Sequence, residues 1–136
     1  CGAVSLHAPL TPATRNLIGA GELARMPAGA YLVNTARGEL IEPRALAEAL
    51  ESGRIAGAAL DTLAPEPPPG DHPLLNLTPA ASERLLLTPH IAGTTRGAFY
   101  RMLTGALKNL QTVAGGGPPR HVVNGILKTR SPKATG

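Results

Sequence analysis

Aromatic side chains and cysteine are scarce in this chain. Among its 136 residues there are two tyrosines, one phenylalanine, no tryptophan and a single cysteine, Cys1. A core with so few aromatics must be built from Leu, Ala, Val and Ile, which suits helices packed on a parallel sheet. A single cysteine excludes an intramolecular disulfide and a thiolate zinc cluster. It also fits a reducing compartment such as the cytoplasm.

Long apolar runs and a signal peptide are also absent. No stretch approaches the ~20 apolar residues that cross a bilayer, and the first residues lack the charged-then-apolar pattern of a secretory leader. We therefore expect no membrane association. The chain opens on CGAVSLHAPL without a methionine. Because this resembles the interior of a buried strand, we expect a fragment with an upstream portion.

The net charge of +4 does not point to a nucleic-acid partner. The basic side chains are scattered along the chain, and there is no aromatic platform on which bases could stack. Charge that serves solubility is the simpler explanation. With 43% hydrophobic residues, the chain can bury a core the size of one ordinary domain.

Short apolar runs alternate with helical patterns. The apolar runs predict strands at 3–6, 30–34, 55–60 and 85–87. Helices are predicted at 21–26, from Pro43 to a left-handed cap at Gly53, and at 94–114. A helical turn is expected within 11–18, and the proline-rich stretch 64–79 is expected to be an irregular surface loop. This alternation predicts an α/β fold, a Rossmann-like parallel sheet with flanking helices.

Ligands of such sheets bind beyond the carboxyl ends of the strands. This rule selects four loops, which follow the four predicted strands: His7 with Pro9, 35–38, 61–66 and 90–93. Each loop contains chemically capable side chains, among them Arg37, Asp61, Glu66 and His90.

Each of these four side chains also has an ordinary structural explanation. Arg37 could cap a turn, and Asp61 could cap a helix or turn at a strand end. Glu66, between two prolines, could be a solvated loop residue, and a lone histidine such as His90 is more often a satisfied loop residue than a catalyst. Their joint position at the strand ends weakens these explanations, because polar residues that serve only solubility would not be concentrated at those positions.

Together, a histidine, a glutamate and an arginine suffice for one kind of chemistry without a metal. Hydride removal from a secondary alcohol requires loss of the hydroxyl proton, for which histidine is the natural acid/base. A neighbouring carboxylate would hold the imidazole and favour its protonated form. A guanidinium can bind a substrate carboxylate through two parallel hydrogen bonds and polarise the adjacent carbonyl.

Several motifs resemble those of the D-isomer-specific 2-hydroxyacid dehydrogenases, a family that includes phosphoglycerate, glycerate and formate dehydrogenases. The resemblance covers roughly residues 3–114, in order and with matching spacing. The motifs are LHAPLT with Thr14, LVNTARG at 32–38, GRIAGAALD at 53–61, PEP at 65–67 and TPHIAG at 88–93.

The resemblance implies a catalytic set and a cofactor, NAD or NADP. Arg37 would bind the substrate carboxylate and carbonyl, Glu66 would pair with His90, and His90 would be the acid/base. Asp61 would hydrogen-bond the nicotinamide amide, and Gly93 would let the backbone approach its ring. The remaining cofactor-binding positions implied are His7 and Pro9 near the adenosine–pyrophosphate portion, and Thr35, Ala36, Arg37 and His90 along the cofactor.

The chain departs from the family pattern in its phosphate loop. No GxGxxG follows a strand, and the Gly19-Ala20-Gly21 segment is no substitute for it. Hence the fold is expected to be partial, lacking the N-terminal half of the cofactor domain and the residue that selects NAD over NADP. Asp61-Thr62-Leu63 replaces the usual Asp-Val-Phe. The loop before the last strand is idiosyncratic, which leaves the substrate acid open.

The resemblance also implies a domain organisation and partners. Residues 1–93 would be the C-terminal half of the NAD(P)-binding domain, 94–114 a long helix leading back toward the substrate domain, and 115–136 a C-terminal tail. The polar composition predicts that this tail is loose beyond Gly125. The substrate would be a small 2-hydroxy or 2-oxo acid, and the whole protein a homodimer through its cofactor domains. Two alternatives remain: an NAD-sensing, corepressor-like interaction module, and an inactive truncated fragment.

Overall fold

Four parallel strands lie side by side in chain order in the computed structural model, which describes residues 1–122. They are β1 (Ala3–Leu6), β2 (Tyr31–Asn34), β3 (Gly57–Leu60) and β4 (Leu85–Leu87). The register pairs Leu6 with Asn34, Asn34 with Leu60, and Leu60 with Leu87. The strands therefore end level with one another, and the loops that follow them begin at one edge. The predicted Rossmann-like parallel fold is confirmed.

The helices begin and end where local chemistry allows it. They are α1 (Ala20–Arg25), α2 (Pro43–Glu51), α3 (Pro79–Ser82) and α4 (Arg96–Ala114), with single 3₁₀ turns at Gly38–Leu40 and Pro73–Leu75. Proline starts α2 and α3, where the missing N–H has no helical partner to lose. Gly53, with φ of +68°, follows the end of α2 in the left-handed conformation that was predicted.

The described chain forms two compact units, Cys1–Ala92 and one that begins at Gly93 and contains α4. In the first unit, α2 contacts α1, α3 and the Pro73–Leu75 turn. Its core is aliphatic, as the composition predicts. The fully buried large apolar side chains are Leu23, Leu32, Leu40, Leu46, Leu50 and Ile55.

The prediction of a surface loop over 64–79 was partly wrong. His72 and Leu74 are 4% and 5% exposed. The Leu74 N–H donates to Nδ1 of His72 (3.3 Å), and the Leu75 N–H donates to the His72 carbonyl (2.9 Å). Prolines prevent a regular helix here, but these local bonds satisfy the backbone and allow burial. Other boundaries moved by one or two residues, and Ile55 is buried just before β3 begins.

Helix α4 is amphipathic in sequence but has no buried residue in the described chain. Its large apolar side chains are about half exposed or more: Phe99, Tyr100, Met102, Leu103, Leu107 and Leu110. The loose tail predicted beyond Gly125 lies outside the described residues. Within residues 1–122, no helix combines the length and hydropathy that a membrane crossing requires.

Substitution of Leu46 by alanine tests the core assignment. This side chain is fully buried in α2. We expect Leu46→Ala to lower the free energy of unfolding by about 2–5 kcal/mol, because it removes transfer energy and leaves a cavity. The measurement is a urea titration followed by circular dichroism. Glu48→Ala, on the exposed side of the same helix, should change it by less than about 0.5 kcal/mol. Equal effects of the two variants would contradict the packing described.

Candidate active site

Glu66 and His90 meet at the carboxyl edge of the sheet. His90 follows β4, and Glu66 lies in the loop after β3. Nδ1 of His90 lies 2.8 Å from Oε2 of Glu66, and the side chains are 49% and 39% exposed. An ionised carboxylate can only accept, so Nδ1 carries the hydrogen and donates it. The other ring nitrogen, Nε2, is left as the atom of His90 that can exchange a proton.

Glu66 is itself fixed by the loop that carries it. The N–H of Leu63 donates to Oε1 of Glu66 (2.9 Å), so each carboxylate oxygen has a partner. The hydrogen bond from His90, and then that from Leu63, lower the pKa of Glu66 from its ordinary value of 4.5. Glu66 is therefore ionised at neutral pH and can orient and stabilise a protonated His90.

Asp61 is buried directly after β3 and binds the segment around His90. Its Oδ1 accepts from the Thr88 hydroxyl (2.5 Å) and the Ile91 N–H (3.0 Å), and its Oδ2 accepts from the Ala92 N–H (2.9 Å). The Thr88 bond is the main cause that lowers the pKa of Asp61. The residue is only 4% exposed. Its carboxylate is thus mainly engaged within the protein.

The arginine loop is held by a residue that was not among the predicted site residues. Asn34, fully buried at the end of β2, donates from Nδ2 to the Arg37 carbonyl (2.7 Å). Its Oδ1 accepts from the Ala36 N–H (3.0 Å). The signal in the sequence was an amide residue at the end of an apolar strand, since a buried polar group must find partners.

Arg37 itself is exposed. Its Nη1 donates to the carbonyl of Ala36 (2.7 Å). Across residues 1–122, no carboxylate forms an ion pair with Arg37. The guanidinium therefore retains donors for an external anion, and the structure does not show it in contact with Glu66 or His90.

Gly38 brings the arginine loop against the loop that carries Glu66. A Cβ added at Gly38 would lie 2.2 Å from the Leu63 carbonyl carbon and 2.7 Å from the Ala64 nitrogen. Both are backbone atoms, which cannot swing aside as a side chain can. A side chain at this position would therefore push the two loops apart.

The first strand's loop is ordered by its own side chains. Nε2 of His7 lies 2.8 Å from the hydroxyl of Ser5, and the Thr14 hydroxyl donates to the Pro9 carbonyl (2.7 Å). Thr35 is exposed at the same sheet edge. Gly93 begins the second unit. The cofactor contacts predicted for these four residues stay predictions.

The structure thus brings together two of the three predicted catalytic side chains, Glu66 and His90, and places Arg37 at the end of the neighbouring strand. It joins Asp61 to the histidine loop, a contact that the sequence analysis did not predict. Thr88 was likewise missed as a partner of Asp61. Its only signal was its place two residues before His90.

The parallel sheet with flanking helices is an α/β domain of the Rossmann-like class. It carries two ordered polar loops and a carboxylate–histidine pair at the level ends of its strands. The chain belongs to the D-isomer specific 2-hydroxyacid dehydrogenase family, since the model of this family's NAD binding domain matches residues 1–92. The resemblance seen in the sequence motifs is therefore confirmed.

Relatives of known name cover most of the chain. It is 44% identical over 128 residues to a glyoxylate reductase of Thermofilum pendens, and 39% identical over 115 residues to a glycerate dehydrogenase of Methylorubrum extorquens. These alignments cover 93% and 85% of this chain, but 36% of each relative. The NAD-complexed D-isomer specific 2-hydroxyacid dehydrogenase of Lactobacillus delbrueckii ssp. bulgaricus superposes with a TM-score of 0.75 at 41% identity. That match covers 90% of this chain and 40% of that one.

Replacement of Gly38 by alanine tests the contact between the two loops. We expect Gly38→Ala to destabilise the protein by more than about 2 kcal/mol, in the range of strongly overpacked sites. The measurement is the urea midpoint. Gly21→Ala is the matched control: a Cβ there meets nothing within 4 Å, and within α1 the change should be neutral or stabilise by up to about 1 kcal/mol. A Gly38→Ala protein as stable as the parent would show that the loops do not touch.

The lowered carboxyl pKa values predict how the free energy of unfolding decreases at acidic pH. The pKa values of Glu22, Glu51, Asp61 and Glu66 are all lowered by hydrogen bonds. Groups with a depressed folded pKa contribute stability that is complete above the unfolded value and is lost as pH falls through the folded one. The contribution of these four carboxylates to the urea midpoint should therefore be constant from pH 7 to 5 and be lost below the ordinary Glu value of 4.5.

Glu66→Gln separates the contribution of that residue. Because glutamine does not titrate, this variant should lose less stability than the parent between pH 5 and pH 3. Identical slopes in parent and variant would contradict the hydrogen-bonded, ionised state assigned to Glu66.

Proposed function

We propose that this chain supplies the catalytic side chains of an NAD(P)-dependent D-2-hydroxyacid dehydrogenase. The reaction would interconvert a D-2-hydroxy acid and its 2-oxo acid. The single observation that carries the proposal is the hydrogen bond between His90 Nδ1 and Glu66 Oε2 at the carboxyl edge of the sheet. Family membership supports it. The chain spans between 36% and 40% of the relatives described above, so the activity belongs to the protein at its full natural length.

His90 would act as the acid/base through Nε2. With Nδ1 donating to Glu66, Nε2 can give a proton to the oxygen that develops at C2 of a 2-oxo acid. In the reverse direction it takes the hydroxyl proton. Glu66, ionised by its two hydrogen bonds, stabilises the imidazolium that forms when Nε2 is protonated, and it holds the ring in one orientation.

Arg37 would bind the substrate carboxylate. Its exposed guanidinium has no ion-pair partner in residues 1–122, and a guanidinium fork matches a carboxylate through two parallel hydrogen bonds. Asn34 and Gly38 support this role, because they fix the backbone on both sides of the arginine. The same guanidinium would polarise the C2 carbonyl.

The residues present fit the nicotinamide side of a dinucleotide. Asp61 Oδ2 accepts one hydrogen bond, from Ala92, and a carboxylate oxygen has room for a second; a carboxamide N–H would suit it. Thr35, Ala36, Arg37, His90 and Gly93 would lie along the cofactor, and His7 and Pro9 near its adenosine–pyrophosphate portion. When bound, NAD or NADP supplies or accepts the hydride.

We also propose that the full-length protein is a cytoplasmic homodimer. Membership of the family, for which the sequence resemblance implies dimers through the cofactor domains, supports the homodimer. The single cysteine supports a reducing compartment. A monomeric mass at micromolar concentration, measured by light scattering on the full natural length, would contradict the dimer.

Turnover by the full-length protein tests the proposed reaction. NADH and NADPH oxidation would be followed with glyoxylate, hydroxypyruvate and other 2-oxo acids. We expect turnover that falls about 10²–10⁴-fold in His90→Ala, the usual contribution of a general acid/base. His121→Ala, which removes an exposed histidine elsewhere in the chain, should be unchanged.

Two other outcomes would reject this proposal. Binding of NADH without turnover of any 2-oxo acid would favour an NAD-sensing interaction module. Equal activity of His90→Ala and the parent would remove His90 as the acid/base.

A further inference from the structure

We propose that Asp61 is a positioning residue, whose buried carboxylate sets the direction of His90 by binding the backbone and side chain on either side of it. The inference rests on the proposed role of His90 as acid/base. It gives Asp61 a task separate from any contact with a cofactor: it holds the histidine loop in its active shape.

The hydrogen bonds of Asp61 bracket His90. One comes from Thr88, two residues before the histidine, and two come from the N–H groups of Ile91 and Ala92, directly after it. The distances are 2.5, 3.0 and 2.9 Å. A single carboxylate therefore fixes the chain entering and the chain leaving the proposed catalytic residue.

The backbone of His90 needs such an external constraint. Its φ is +56°, in the left-handed region that residues with a side chain seldom adopt. The His90 N–H donates to the Thr88 carbonyl (3.0 Å), which closes a tight turn. This turn presents the N–H groups of Ile91 and Ala92 to Asp61. Without an acceptor there, the left-handed conformation would lose the bonds that compensate for it.

Asp61 is suited to this task because it is anchored to the sheet. Its N–H donates to the Asn34 carbonyl (2.9 Å), and the Thr88 N–H donates to the Leu60 carbonyl (3.0 Å). The carboxylate therefore extends from the edge of the sheet at the end of β3, and the residue as a whole is 4% exposed. The histidine loop is tied through it to the same sheet that carries the arginine loop.

The two carboxylates of the site then have different tasks. Glu66 binds the ring of His90 at Nδ1, whereas Asp61 binds the backbone around it. Glu66 alone would fix the tautomer and the orientation of the ring, but not the position of the backbone that carries it. With both carboxylates in place, Nε2 of His90 points in one direction from a fixed position, as proton transfer at a defined atom requires.

An amide at position 61 would oppose this arrangement. Asn has the shape of Asp, but it offers one acceptor oxygen and an NH₂ group that would face an N–H donor of Ile91 or Ala92. Asp61→Asn is therefore the main variant. Thr88→Val is the second variant, because it removes only the hydrogen bond from the Thr88 hydroxyl to Asp61 and changes no group assigned to the cofactor.

The direct readout is amide hydrogen exchange and ¹⁵N chemical shift in the full-length protein. In Asp61→Asn we expect exchange at Ile91 and Ala92 to accelerate about ten-fold or more, the loss expected for a hydrogen bond to a charged group. The amide of Leu32, in the centre of the sheet, should exchange at the parent rate, which separates local release from global unfolding. Unchanged shifts and exchange at Ile91 and Ala92 would overturn the proposal.

Kinetics separate positioning from cofactor binding. We expect Asp61→Asn to lower kcat about 10²-fold, as misplacement of a catalytic group does, with a smaller effect on the KM for NADH. Thr88→Val should lower kcat in the same direction but less. A rise in the KM for NADH alone, with Thr88→Val equal to the parent, would assign Asp61 to the cofactor and overturn the positioning role. If the protein turns over no 2-oxo acid, the proposed function fails, and the exchange experiment still decides the task of Asp61.

Discussion

The common register of the four parallel strands is the constraint on which the site depends. Because Leu6, Asn34, Leu60 and Leu87 stand level across the sheet, each following loop starts from the same edge. Parallel strands bring residues that are 20 to 30 positions apart in the chain into one place. Aliphatic packing by α1 and α2 stabilises the sheet, but the register decides which side chains can meet.

Buried polar side chains at the ends of β2 and β3 convert that register into ordered loops. Asn34 binds both the Ala36 N–H and the Arg37 carbonyl, and Asp61 binds the segment around His90. Each is almost inaccessible to solvent, where an unsatisfied polar group would be costly. Because the two residues are buried, loss of any of these hydrogen bonds would be costly. The loops that carry the exposed Arg37 and His90 are therefore restricted in conformation.

The two acidic residues of the site, Asp61 and Glu66, differ in their surroundings. Hydrogen bonds lower the pKa of both Asp61 and Glu66, so both are charged where the protein would function. Glu66 faces the imidazole and remains partly exposed, whereas Asp61 faces backbone donors and is buried. Asp61 and Glu66 lie five positions apart and carry the same charge, but their hydrogen-bond partners differ completely.

Most of the fold and the list of candidate site residues followed from the sequence by itself. Apolar runs and helical periodicity determined the four strands, the start of α2 at Pro43 and the cap at Gly53. The strand-end rule selected the loops that contain Arg37, Asp61, Glu66 and His90. These features are local, because each depends on residues that are near neighbours in the chain.

Only the tertiary structure decided which of these residues touch. Three features depend on segments that are distant in the chain. One is the burial of His72 and Leu74 inside a proline-rich stretch, and another is the close contact of Gly38 with Leu63 and Ala64. The third is the set of hydrogen bonds that Asp61 accepts from Thr88, Ile91 and Ala92. Such contacts depend on register and on left-handed backbone at His90, which no local pattern encodes. The sequence thus determined which side chains are available for chemistry. The packing of the sheet decided which groups each of them binds, because hydrogen bonds between loops require the strands to be aligned.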